Sequence, residues 1–108
     1  MHPELAVYTA RMPAFVIADI DVHDPDRYED YKAGSPGSIA EFGGRFVARG
    51  GAIEVLEGGW DPARVVIIEF PDADRARRWH ASDGYQALKA IRDEAATGRF
   101  VLVDGVKD

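Results

Sequence analysis

The run Ala14–Val22 (AFVIADIDV) constrains the fold more than any other segment. Extended, it places Val16, Ala18, Ile20 and Val22 on one wholly apolar face, and Phe15, Ile17, Asp19 and Asp21 on a mixed one. A strand of that kind has to lie beneath other elements, and the chain repeats the arrangement at Arg64–Phe70 (RVVIIEF), its strongest strand signal. Each strand is followed by a capping acid, then by Asp26-Arg27 or Asp74-Arg75, and four residues after that Arg by an aromatic, Tyr31 or Trp79. Two copies of one strand–helix unit are therefore expected.

The intervening segments fill in the order. Asp24 can cap a helix with Pro25 in its first turn and Tyr28 and Tyr31 on one side. Gly34 is expected to end or bend it, with Ser35-Pro36 starting a second stretch that buries Ile39 and Phe42. The pairs Gly43-Gly44, Gly50-Gly51 and Gly58-Gly59 bracket two alternating runs, Arg45–Arg49 and Ala52–Glu57, which read as short strands. Their spacing matches neither a dinucleotide fingerprint nor a P-loop. Pro71 stops the strong strand, Asp72 caps a helix carrying Ala76 and Trp79 or His80, and Ser82-Asp83-Gly84 interrupts it. A last helical stretch carries Tyr85, Leu88 and Ile91; Gly98 is expected to close it before a final strand, Arg99–Val103. Strand–helix–strand–(strand)–strand–helix–strand, with an internal repeat, agrees with the α+β ferredoxin-like plait: one antiparallel sheet of four main strands with its helices on one face. Residues 13–108 read as one such domain behind an N-terminal extension, 1–12.

Composition narrows the function classes. The chain has no Cys, which removes thiolate nucleophiles, disulfides and Cys-built metal sites. Nineteen acids against thirteen bases give a net charge of −6, a poor match for phosphate backbones, so no nucleic-acid partner is expected. Residues 1–12 lack an apolar leader, and no stretch has the length to span a bilayer; a cytoplasmic protein without a membrane partner is expected.

The second face of the sheet asks for a cover. Phe15, Ile17, Asp19, Val65, Ile67 and Glu69 would share it on the two central strands, an apolar patch unusual on a soluble monomer. A second copy of the same sheet is the simplest cover, which predicts a homodimer. Asp19 and Glu69 then need partners, and strict alternation puts Arg45 and Arg49 on their face. An Arg49–Glu69 ion pair is the structural expectation; a polar pocket with a raised-pKa acid is the functional one.

The motif GGRFVARGG at residues 43–51, EVLEGGWDPAR at 54–64, Glu69-Phe70-Pro71, then Trp79, Ser82, Tyr85, Leu88, Arg92 and FVLVDG at 100–105, resembles the domain of unknown function 1330 family. The resemblance covers residues 13–105; His80 stands where Tyr or Phe is usual, and Asp83-Gly84 where a pair such as Pro-Glu is usual. It implies a dimeric α/β barrel made of two ferredoxin-like sheets, and no particular activity. The wider superfamily includes cofactor-independent monooxygenases, muconolactone isomerases and haem-dependent chlorite dismutases.

Candidate site residues follow from chemistry. Of the three His residues, His2 lies in the extension and His23 at a strand-to-helix turn; His80, beside Trp79, is the candidate general base. If Trp79 takes the core, His80 lies about 100° around the helix, towards solvent. Tyr31 and Asp19 complete the catalytic candidates, and Arg49, Glu69, Trp60, Trp79 and Tyr85 the substrate-binding ones. No His or carboxylate spacing suits a metal, no cofactor motif is present, and Thr9, Ser35, Ser38, Ser82 and Thr97 form no nucleophile elbow. Two readings remain. One is a cofactor-free enzyme, monooxygenase- or isomerase-like, for a small organic molecule; the other is a non-catalytic binding or interaction module.

Overall fold

A computed structural model describes residues 12–107. The readings placed on His2 and on residues 1–11 of the extension lie outside the described residues. Strands β1 (Ala14–Val22), β2 (Arg45–Arg49), β3 (Val65–Phe70) and β4 (Ala96–Asp104) form one antiparallel sheet in the order β2-β3-β1-β4. Helices α1 (Pro25–Glu41), α2 (Ala73–Ala81) and α3 (Asp83–Ala95) complete the ferredoxin-like fold. The two strands with an apolar face are the central pair. Val16, Ala18 and Ile20 of β1 join Val66, Ile68 and Phe70 of β3 in a core with Tyr28, Tyr31, Ile39, Trp79 and Tyr85 from the helices.

The caps are those the acids suggest. Asp24 accepts from the Arg27 amide at the start of α1, with Pro25 in the first turn, and Asp72 accepts from the Arg75 amide at the start of α2. Ser82 both ends α2 and caps α3 through the Tyr85 amide.

Four local expectations are corrected. Helix α1 does not end or restart at Gly34-Ser35-Pro36 but runs through all three residues. Proline at position 36 has no N–H to offer the Lys32 carbonyl one turn earlier. That carbonyl instead accepts from Arg49 Nη2 at 3.0 Å. Gly34 sits where α1 meets α3: a β-carbon there would run into the Leu88 side chain, so the glycine permits close helix contact rather than a break. The second correction is that Ala52–Glu57 is not a strand; the segment is irregular and exposed throughout. Third, Gly98 does not close the last helix. That helix stops at Ala95, and Gly98 pairs with Ile20 inside β4.

The fourth correction moves a candidate site residue. Strand β2 carries an irregularity between Phe46 and Ala48, so that Arg45 faces Glu69 while Arg49 faces Val66. One extra residue inverts the alternation beyond it. Arg49 therefore lies on the helix side of the sheet, not beside Glu69. The carboxylate of Glu69 takes Arg45 as its partner at 2.8 Å.

Candidate functional site

The site residues fall into three places set by the sheet. On the helix side, α2 turns Trp79 fully inward, where its indole N–H donates to Ser38 Oγ at 2.8 Å. His80, next along the helix, is carried to the rim and stays exposed. Its ring lies 5.4 Å from that of Tyr85 and 6.0 Å from that of Trp79. Between α2 and β4 opens a cleft of about 270 Å³, floored by Val16, Ala76, Phe100 and Leu102, with Trp79, His80 and Arg77 around it. Apolar walls and polar groups confined to the rim suit a small, mostly apolar molecule. Partial burial, with the nearby Arg92 and Lys89 cations, pushes the His80 pKa down. A lowered pKa favours the uncharged imidazole, whose unprotonated ring nitrogen can accept a proton.

Beneath His80 lies a buried polar cluster. The Tyr31 and Tyr85 hydroxyls are 3.0 Å apart, and Arg92 Nη1 donates to Tyr85 Oη at 2.8 Å. Arg92 is buried, with its guanidinium 4.3 Å from the Phe100 ring centre and Nη2 reaching Asp93 at 3.3 Å. Burial raises the pKa of both tyrosines, with the Tyr31–Tyr85 contact adding to the effect at Tyr85, so both stay protonated. They are donors and packing surfaces rather than bases.

The opposite face of the sheet holds Asp19, Glu69 and Trp60. Asp19 Oδ2 accepts from the Trp60 indole at 3.3 Å and from Arg99 at 3.0 Å, and Oδ1 from the Ala63 amide at 3.1 Å. Desolvation opposes ionisation of Asp19, but these donors outweigh it and hold its pKa below the usual value. A carboxylate so held is the opposite of a raised-pKa acid. Asp19 ties the 50–64 loop to the sheet. Thus His80, Trp79, Tyr85 and Tyr31 come together on the helix side, whereas Asp19, Glu69 and Trp60 lie across the sheet and Arg49 stands at the β2 edge. In the sequence Arg92 figures only as a motif residue and Ser38 only as a hydroxyl outside any nucleophile elbow, neither as a site residue. Arg92 could have been found, because it shares one helical stripe with Tyr85 and Leu88, where a charge is out of place. Among the described residues no three His, Asp or Glu side chains converge as a metal set, and no helix is long and apolar enough to cross a membrane.

The family profile described as "Domain of unknown function (DUF1330)" matches residues 13–106. The chain belongs to that family. No curated protein matches this DUF1330 chain. Among solved structures it is similar to RPA0582 from Rhodopseudomonas palustris, a protein of unknown function. The TM-score is 0.67 at 19% identity, over 100% of this chain and 95% of the other. It is similar also to SnoaB, a cofactor-independent oxygenase from Streptomyces nogalater, with TM-score 0.58, 22% identity and 92% and 97% coverage. A dimeric ferredoxin-like protein of unknown function from Thermobifida fusca gives TM-score 0.51 at 19% identity, covering 86% of this chain and 89% of that one. At such identities the likeness is one of fold.

Proposed function

We propose that this DUF1330 protein is a homodimeric, cofactor-free enzyme that takes a small, largely apolar organic molecule into the α2–β4 cleft. The observation that carries the proposal is the pairing of an apolar floor with the His80 imidazole at its rim. His80 would accept a proton from an acidic O–H or C–H of the bound molecule, the first step shared by isomerisation and by oxygenation without a cofactor. SnoaB, similar in fold, is described as a cofactor-independent oxygenase, which favours this chemistry. Trp79 lines the cleft beside His80, Tyr85 packs against both rings, and Tyr31 and Arg92 hold Tyr85. Asp19 and Glu69 lie across the sheet and take no part in this reading.

The dimer follows from uncovered surface. Val101 and Val103 of β4 are 61% and 46% exposed beside the half-buried Phe15, Ile17, Val65 and Ile67. The 50–64 loop adds Leu56 and Trp60 at 88% and 60% exposure. A facing second copy would remove both from water.

A second reading, a non-catalytic binding module, draws on the Tyr31–Tyr85–Arg92 cluster, whose groups largely satisfy one another rather than aiming at a ligand. One experiment separates the two. β-Diketones and related carbon acids that raise the melting temperature are incubated with protein in D2O, and exchange at the acidic carbon above the rate in buffer alone is followed by NMR. The enzyme reading expects exchange that disappears in His80→Ala while ligand binding persists. Binding without exchange in the unmodified protein supports the module instead.

A further inference from the structure

The β2 edge of the sheet, opposite the β4 edge that forms the cleft, gathers three cations. Lys32 of α1, Arg49 at the end of β2 and Arg64 just before β3 line an open cavity of about 440 Å³, completed by Glu29 and Ala33. Lys32 and Arg64 also border the adjoining hollow of about 410 Å³ with Tyr28, Gly50 and Gly51.

In so acidic a chain, cations generally find carboxylates. Arg27, Arg45, Arg75, Arg78 and Arg99 each have one within ion-pair distance. Among the described residues Arg49 and Arg64 have none. Arg49 spends one nitrogen on the Lys32 carbonyl and Ser35 Oγ, and its guanidinium lies 4.4 Å above the Phe46 ring. Arg64 stacks 5.5 Å from the Tyr28 ring centre, and its buried Nε has no hydrogen-bond partner. Its guanidinium occupies the space where a side chain on Gly50 would begin, and Gly50 holds φ +69°. The bulge in β2, the glycine at position 50 and two aromatic platforms thus hold both guanidiniums on the helix side of the sheet. Within the first cavity three positive charges face one carboxylate, Glu29, which Lys32 approaches at 3.1 Å, and Asp21 borders the adjoining hollow.

We propose that Lys32, Arg49 and Arg64 bind a small dianionic oxyanion, a phosphate ester or a dicarboxylate. A guanidinium presents paired N–H donors that match two oxygens of either group, and two of them with an ammonium, less the Glu29 carboxylate, leave two positive charges to balance a double negative one. The site lies on the helix side, away from the sheet face assigned to the dimer, and does not depend on the α2–β4 cleft being catalytic.

Thermal shift and calorimetric titration of the full chain with inorganic phosphate and with succinate test the proposal, against acetate and sodium chloride at matched ionic strength. Saturable binding of phosphate, of succinate or of both is expected, with at least tenfold weaker binding of acetate. Phosphate alone would assign a phosphoryl group, and succinate alone a dicarboxylate. Arg64→Gln should weaken binding at least tenfold, Arg64→Lys by less, and Arg78→Gln, on α2, not at all. Circular dichroism of each variant establishes that it is folded. Equal responses to all four salts would overturn the proposal, as would unaltered affinity in a folded Arg64→Gln.

Discussion

Tyr85→Phe removes one oxygen from the buried cluster and leaves a cation without its neutral acceptor. In the native chain Tyr85 Oη accepts from Arg92 Nη1 at 2.8 Å and meets Tyr31 Oη at 3.0 Å, while Tyr85 itself is completely buried. A hydrogen bond to a charged group contributes about 1.5–3 kcal/mol, and a neutral one about 0.5–1.5 kcal/mol. The expected loss is therefore about 2–4 kcal/mol, a large part of a small domain's stability. Arg92→Met should behave differently. It removes a buried charge whose carboxylate contact, Asp93, is half exposed and whose Nε has no partner. A well-packed apolar replacement of such a charge is close to neutral, within about 1.5 kcal/mol once the stacking on Phe100 is counted. Urea unfolding at one fixed protein concentration, because a dimer's stability depends on it, measures all four corners of the cycle. Tyr85→Phe should cost much less in the Arg92→Met background than in the native one. Equal costs in the two backgrounds would refute the idea that Tyr85 serves as the acceptor for a buried cation.

Ile17→Lys with Ile67→Lys should give monomer or aggregate in sedimentation at micromolar concentration, where the unmodified chain is expected at twice its mass; a stable native monomer would remove the dimer. Arg45→Ala should cost more by urea unfolding of the dimer than the roughly 1 kcal/mol of a solvated pair, because the facing copy covers the Arg45–Glu69 pair; a cost below about 1 kcal/mol would put this pair outside the interface. Asp19 has a folded pKa below its unfolded value, so its stabilisation is present above about pH 4 and fades as pH falls through the folded value. The stability difference between the native chain and Asp19→Asn should accordingly shrink on acidification from pH 6 to pH 3, and a constant difference would contradict the role of Asp19 as the ionised anchor of the 50–64 loop. An NMR titration should find the His80 imidazole below its ordinary pKa near 6.5, with Lys89→Gln moving it upwards.

Periodicity and caps carried the layout of the fold. Alternation in β1 and β3 named the buried face, Asp24 and Asp72 marked helix starts and Ser82-Asp83-Gly84 the break between two helices, because these signals act between residues close in the chain. At Gly34, Pro36 and Gly98 contacts distant in sequence override the local break signals: Leu88 packs against Gly34, Arg49 supplies the hydrogen bond that Pro36 cannot, and Gly98 pairs with Ile20 inside β4. The candidate site was legible in part. His80 and Trp79 divide rim and core as helical geometry requires, since adjacent residues cannot share a face. Arg49, by contrast, was placed on the wrong side of the sheet.

That misplacement marks the boundary between the two sources of information. Local pattern is enough to tell which strands are central, which of their faces is apolar and where the helices begin. Which carboxylate meets which cation depends on long-range packing. A single irregularity in β2 gives Glu69 to Arg45 and sends Arg49 towards Lys32 and Ser35. Side-chain direction along a strand has a period of two, so one extra residue reverses every position after it, and nothing local to RFVAR marks where that residue stands.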